Sequence, residues 1–543
     1  MKRTSSQWAG AMLAMLTLLA SGAPQTHAAT KLPEPDMGGV PKSKLYDYGV
    51  MGPPATKEVV AAAAAGVKTP MAAGPFAPTW ESIAANYQTP AWFQDAKFGI
   101  FMHWGIYSVA AHGPSAAEWY EKHMYAGDAQ WHAENFGPID KVGYKNLIPL
   151  FTAAKWDPEA WAKLFKAAGA KFVIPTAEHH DNFALWDSNV TPFNAKRMGP
   201  KRDLIGDLAA AVRAQGLKFG VSNHGMENFT FVNPTAALDA QLQAEKADLY
   251  DPAWLEFYNV ADRSPAAMTR FLTDWVNRNV ELIDKYQPDI LWFDNGVNLR
   301  VLDPLKEWVA AYYYNSARKW GKAVSLSTKY VAYAPSNDDT KQVGSILDFE
   351  KIGGRSPAGV RAGQPWMVDQ PIGSTWGYST GERISPPGTV IGWLIDTVSK
   401  GGVMLLNLSP MADGTLPQDQ QDTLLGVGKW LDVNGEAIYG TRPWTQYVEG
   451  GTGRGSLSYH FTTKGNVLYA IANAWPGPEA TIKSLATGGK VTMVELLGSD
   501  AKLEFTQDEN GLKVKLPAQA KEKSAAWVLK VSGGNAGGGG AGK

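Results

Sequence analysis

Between Ala91 and about Gly440 the chain alternates short apolar runs with longer stretches whose apolar residues recur at helical spacing. The short runs predict strands at Phe98 to Trp104, Phe172 to Ala177, Lys218 to Ser222, Ile290 to Asp294, Val324 to Thr328, Ser345 to Phe349, Trp366 to Asp369 and Val403 to Leu408. The longer stretches predict helices at Trp161 to Ala168, Leu204 to Gln215, Met268 to Tyr286, Leu305 to Trp320 and Thr389 to Ser399. This alternation predicts an α/β fold, a (β/α)8 TIM-like barrel over residues 89–440. A doubly wound open sheet alternates in the same way. No G-x-G-x-x-G run follows the first strand, so its dinucleotide-binding version is disfavoured.

After Gly440 the texture changes. Ser456 to Thr462, Val467 to Ala472, Lys490 to Leu496, Leu503 to Phe505, Leu512 to Leu516 and Ala526 to Val531 are short and separated by turn residues. They predict a C-terminal antiparallel β-sandwich over residues 441–533, followed by a disordered glycine-rich tail at 534–543. Residues 29–88 are rich in Pro, Ala and Gly and read as an N-terminal extension with little core of its own, order beginning near Thr79. Residues 1–28 read as a signal peptide. Lys2 and Arg3 precede an apolar run from Ala9 to Ala20, and small residues follow at Thr26-His27-Ala28 or Ser21-Gly22-Ala23. The leader predicts export, to a bacterial periplasm or exterior.

Composition narrows the function classes. A formal net charge of -1 gives no basis for capturing nucleic acid or an anionic membrane. With no Cys, disulfides and thiolate metal sites are excluded. The 21 Trp and 20 Tyr suit stacking on sugar rings, and equally a large core.

Candidate chemistry lies where the predicted strands stop. The fourth ends Trp292-Phe293-Asp294-Asn295-Gly296, delivering a carboxylate to a barrel mouth as a nucleophile or general base, or else as a turn cap. The first ends at His103-Trp104-Gly105, the second at Glu178-His179-His180-Asp181 and the third at Ser222-Asn223-His224-Gly225-Met226-Glu227. Such a cluster suits a metal hydrolase or a polyol site. The metal reading lacks an H-x-H pair or an H-E-x-x-H helix, so no metal and no cofactor are expected. On an extended chain His179 and His180 point to opposite sides.

The run Trp92-Phe93-Gln94-Asp95-Ala96-Lys97-Phe98-Gly99-Ile100-Phe101-Met102-His103-Trp104-Gly105 resembles the opening of glycoside hydrolase family 29, the α-L-fucosidases. So do Glu118-Trp119-Tyr120, Glu178-His179-His180-Asp181-Asn182-Phe183, Lys201-Arg202-Asp203-Leu204-Ile205-Gly206-Asp207-Leu208, Trp292-Phe293-Asp294 and Ser399-Lys400-Gly401-Gly402-Val403-Met404-Leu405-Leu406-Asn407-Leu408. The resemblance implies a barrel with a β-sandwich, and exo-acting, retaining hydrolysis of terminal α-L-fucose from fucosylated oligosaccharides or glycoconjugates. It implies Asp294 as nucleophile and His103, Glu118, His179, His180 and Trp292 as fucose contacts. Trp104, Trp119 and Trp292 are candidates for an apolar wall. His224 and Glu227 belong to the pocket, and Lys329 represents the family's basic residue after the fifth strand. The acid/base position varies in the family. Leu347-Asp348-Phe349-Glu350 fits one pattern and makes Glu350 the choice, with Glu227 and then Glu382 as rivals. A retaining glycosidase for an L-galactoside or D-arabinoside, or a catalytically impaired carbohydrate-binding homologue, shares these motifs.

Overall fold

The computed structural model describes residues 53–534, apart from 114–115, 330–331, 336–341, 353–355, 362–363, 452–454, 488 and 518–523. The leader, the first part of the extension and the tail from 535 onward lie outside the described residues.

Eight parallel strands close into a barrel in chain order: β1 (Phe98–Met102), β2 (Phe172–Glu178), β3 (Lys218–Asn223), β4 (Ile290–Phe293), β5 (Ser325–Lys329), β6 (Ser345–Asp348), β7 (Trp366–Pro371) and β8 (Val403–Leu408). Closure runs from Phe98 opposite Met404 to Met102 opposite Leu408. Every strand expected from the apolar runs is present, with ends moved by no more than two residues. The expected helices are present too, but several begin earlier. Helix Pro265–Tyr286 starts at Pro265 behind the cap Ser264, whose Oγ accepts from the Ala267 amide at 3.2 Å. Helix Pro158–Ala167 starts likewise behind Asp157. Caps and first-turn prolines are not apolar, so periodicity misses them.

The barrel interior is filled by Phe101, Phe172, Ile174, Ile290, Trp292, Ile346, Met367, Val403 and Leu405, with Phe93 in the same cluster. Gly99 is required here, because a Cβ would collide with the Phe172 ring. This apolar floor leaves the strands' C-terminal ends free for polar groups.

Two expectations are corrected. Order begins well before Thr79: helix Lys57–Gly66, capped by Thr56, buries Val59, Val60 and Ala63. It lies against helix Pro265–Tyr286, where Thr273 Oγ1 donates to the Ala63 carbonyl at 3.2 Å. The extension therefore serves the barrel's outer layer. The C-terminal sheets also hold two strands that the texture did not reveal, Arg442–Gly450 and Glu479–Ile482.

The C-terminal unit pairs a five-stranded antiparallel sheet with a three-stranded one. Phe461, Leu468, Val494 and Val531 of the first pack with Ile482, Leu512 and Val514 of the second. It is tied to the barrel side by Trp430 Nε1 donating to the Ala526 carbonyl at 3.0 Å. Among the described residues no helix is long and apolar enough to cross a membrane.

Candidate active site

Strand alternation assembles the site. Residues two apart on a strand share a face. The inward residues Phe101, Trp292, Ile346, Met367 and Leu405 are thus followed at the strand ends by His103, Asp294, Asp348, Asp369 and Asn407. Lys329 closes β5 and His224 follows β3.

Asp294 stands directly after β4. Its Oδ2 accepts from His224 Nδ1 at 2.8 Å, and its Oδ1 accepts from the Asn295 amide at 2.8 Å. Lys329 Nζ lies 3.3 Å from Oδ1, and His180 Nε2 lies 3.8 Å from Oδ2. Burial alone raises this carboxyl's pKa. The Lys329 ammonium and His224 outweigh burial and hold it well below the usual carboxylate range. The result is an ionised carboxylate fixed in orientation, as nucleophilic attack requires.

Four imidazoles crowd the same end of the barrel. Ring centroids are 4.2 Å apart for His179 and His180, 4.8 Å for His179 and His224, and 5.4 Å for His103 and His179. His179 and His180 do not diverge, because β2 ends at Glu178 and its register shifts between Thr176 and Glu178. Glu178 turns instead to Arg278 on helix Pro265–Tyr286. Burial pulls all four rings below the ordinary imidazole value, His180 to about 3, so they are neutral at working pH.

Hydrogen bonds then fix the tautomers. Asn407 Nδ2 donates to the Trp376 carbonyl at 2.8 Å, so its oxygen faces His103 Nδ1 at 2.7 Å. His103 Nδ1 therefore carries the proton and Nε2 can accept. His180 Nδ1 donates to the His224 carbonyl at 3.0 Å.

Among the described residues two groups have ligand atoms within 4.8 Å of one another: His103, His179 and His224, and His180, His224 and Asp294. Both use His224, whose nitrogens are each engaged, Nδ1 by Asp294 and Nε2 by Ser222 at 2.8 Å. Ligation would cost one of those bonds. The arrangement suits hydrogen bonding to hydroxyls better than holding a cation.

Lys329 joins Asp294 to Glu350, which follows β6, and to Asp369 of β7. Its Nζ is 3.8 Å from Glu350 Oε1 and 3.7 Å from Asp369 Oδ2. The two contacts of Lys329 bound the gap between Asp294 Oδ1 and Glu350 Oε1 at about 7 Å, which admits the roughly 5 to 5.5 Å of a retaining pair. Glu350 retains 25% side-chain exposure, the most open of these acids. Asp369 is pushed well up by burial and by Asp348 beside it, so it is protonated and leaves the ammonium to Asp294. Asp348 itself is raised to about 6 by burial, accepts from Trp292 Nε1 at 2.7 Å and pins that ring. Trp292 has no exposed surface and forms the floor beneath Asp294.

Glu227 is buried with Oε2 3.5 Å from His180 Nε2, and burial together with the Asp294 charge pushes its pKa well up. Glu118 Oε2 accepts from Thr375 Oγ1 at 2.9 Å and the Gly377 amide at 3.0 Å, leaving Oε1 outside those bonds. Trp119 packs edge-on to His180 and Phe231, with ring centroids 6.2 and 5.7 Å away. Glu382 is occupied elsewhere, accepting from the Ser374 and Thr375 amides at 2.7 and 2.9 Å. Trp104 leaves the group of wall candidates: it packs against Phe151, Trp156 and Trp161. Trp376, not singled out from the sequence, stands 5.2 Å from the His103 ring and 5.1 Å from Lys329 Nζ. Asp369 and Ser222 were also missed. Strand parity alone could have found Asp369, two residues beyond Met367.

A closed parallel barrel whose mouth gathers carboxylates, neutral imidazoles and indoles has the architecture of a glycoside hydrolase. The family model described as Alpha-L-fucosidase matches residues 63–436, and that of the Alpha-L-fucosidase C-terminal domain matches residues 454–532. The chain belongs to the α-L-fucosidase family. It is 30% identical to the human tissue alpha-L-fucosidase over 486 residues, covering 84% of this chain and 92% of that protein. It is 32% identical to the human plasma enzyme over 462 residues, covering 81% and 88%. The crystal structure of Thermotoga maritima alpha-fucosidase in complex with a mechanism based inhibitor shares 33% identity and a TM-score of 0.69, over 84% of this chain and 100% of that one.

Proposed function

We propose that this protein is an exo-acting, retaining α-L-fucosidase that releases terminal α-L-fucose from oligosaccharides or glycoconjugates by double displacement. The observation that carries the reading is Asp294: an ionised carboxylate at a strand end, held by Lys329 and His224 beside a second, more open carboxyl. Asp294 attacks the anomeric carbon and forms a glycosyl ester. Glu350 protonates the leaving oxygen, then deprotonates the water that cleaves the ester. Its exposure suits a group that must reach a leaving group at the mouth. Glu118 Oε1, His103 Nε2, His179 and His180 bind the sugar hydroxyls, and Trp119 supplies apolar wall.

One observation favours a second assignment of the acid. Glu227 is held in its protonated form beside Asp294, as a general acid must be. Its burial keeps it from an outward-facing leaving group, which is why Glu350 is preferred.

Catalysis belongs to the barrel of residues 89–440, with the sandwich of 441–533 as its buttress, and no step requires a metal. Export through the N-terminal leader completes the reading, supported by the leader pattern, and the lack of Cys favours a bacterial periplasm or exterior over a eukaryotic secretory route. Hydrolysis of a chromogenic aryl α-L-fucoside tests the activity. Turnover of the fucoside well above the matching L-galactoside and D-arabinoside is expected, and a preference for either of those overturns the substrate assignment.

A further inference from the structure

His224 was expected to line the sugar pocket. It has no exposed surface, and both of its nitrogens are spent inside the protein. Ser222 Oγ lies 2.8 Å from Nε2, and Asp294 Oδ2 lies 2.8 Å from Nδ1. The connectivity is that of a Ser-His-Asp triad. Here, however, Ser222 is wholly buried in β3, with Thr176 Oγ1 3.4 Å away, and no substrate reaches it. The reactive end must be Asp294.

We propose that His224 is a positioning residue for the nucleophile: its Nδ1–H, with Ser222 beside Nε2, donates to Asp294 Oδ2 and sets the plane of the carboxylate. This rests on the reading of Asp294 as nucleophile. The physical case is direct. A neutral imidazole carries one proton, and an ionised Asp294 needs it on Nδ1. Ser222 Oγ, whose one proton can turn from Thr176 Oγ1 at 3.4 Å to Nε2 at 2.8 Å, then satisfies the nitrogen left as acceptor. One oxygen of Asp294 is then held from β3, while the other is held by Lys329 on β5 and the Asn295 amide. A carboxylate gripped at both oxygens from two strands cannot turn away from the anomeric carbon.

Among the described residues the other charged or titratable groups around Asp294 are His179 and His180 after β2, Glu227 after β3, His103 after β1 and Asp369 on β7, with Glu350 across Lys329. His224 is the imidazole within hydrogen-bond distance of the carboxylate.

The amides of Asn and Gln separate a positioning role from a merely structural one. Asn places an NH2 near the Nδ1 position, whereas Gln reaches toward Nε2. His224→Asn and His224→Gln are compared with wild type for kcat/KM against an aryl α-L-fucoside across pH, with folding checked by thermal unfolding. Misplacing the nucleophile costs about 100-fold, so His224→Gln is expected to lose that much, mainly in kcat, while His224→Asn recovers at least about tenfold of it. The acidic limb moves to higher pH in His224→Gln, by about one unit, and stays near wild type in His224→Asn. Equal activities in two folded variants, with the acidic limb unmoved in both, overturn the proposal. Azide is added to Asp294→Gly in parallel. Rescue there alongside matching His224 variants removes only the proposal. Failure of rescue removes the nucleophile reading and the proposal together.

Discussion

Lys329 Nζ lies 3.3 Å from Asp294 Oδ1, and this contact decides the charge state of the site. Burial of Asp294 favours the protonated acid, and the ammonium is the largest effect opposing it. Lys329→Met removes that opposition. The carboxyl's pKa then rises, and the acidic limb of kcat/KM moves to higher pH by at least about one unit. Activity at pH 5 falls further than activity at pH 7. An unmoved limb means that Lys329 does not control Asp294.

Glu350 faces the same ammonium at 3.8 Å and is the proposed acid/base. Glu350→Ala is expected to slow hydrolysis of fucosyl-oligosaccharides by about 100-fold or more, whereas an aryl fucoside with a good leaving group loses far less in its first step. The comparison is of kcat/KM for the two substrate types. Equal losses on both exclude Glu350, and the same pair of measurements on Glu227→Gln then tests its rival.

The barrel was legible in the chain because each strand is an apolar run ending in polar residues, and Asp294, His103 and His224 could be located from those ends alone. What the sequence hid has specific causes. The Ala-rich stretch at 61–65 looks like a linker, yet Ala is the best helix former, and Val59, Val60 and Ala63 make one face that needs helix Pro265–Tyr286 to cover it. Strand Arg442–Gly450 is half-exposed along its length and strand Glu479–Ile482 has four residues, so neither gives a strong alternation. Trp104 sits two residues past the end of β1 and packs with Trp156 and Trp161, a partnership no local pattern reveals. The links from His224 to Asp294 and from Asn407 to His103 depend on strand ends that the barrel brings together, β3 beside β4 and β8 closing on β1.

The buried imidazoles make a prediction about acid stability. His180 is held at about 3 in the folded chain, against an ordinary value of 6.5. Between these values the unfolded chain takes up a proton that the folded chain refuses, so this residue's contribution to stability falls as pH drops from 6.5 toward 3. Glu227 and Asp369, raised in the fold, contribute with the opposite sign, so the test is a difference. The stability of His180→Asn relative to wild type should improve steadily from pH 6.5 to pH 4 in denaturant unfolding. A pH-independent difference contradicts neutral burial of His180.

Both nitrogens of His224 are committed to protein partners, which argues against metal ligation at either histidine group. Exhaustive chelation followed by gel filtration should leave kcat and KM unchanged. A loss reversed by adding back zinc or calcium shows that a cation belongs to the site.

The central claim is that Asp294 becomes covalently fucosylated. The direct measurement is to incubate the protein with 2-deoxy-2-fluoro-α-L-fucosyl fluoride, which slows breakdown of a glycosyl ester, and then to digest it and locate the added mass. The account predicts one fluorofucosyl group, on the peptide containing Asp294, with activity lost in step with labelling. A label on Glu350 or Glu227, or full turnover of fucosides by a protein that never becomes labelled, contradicts it.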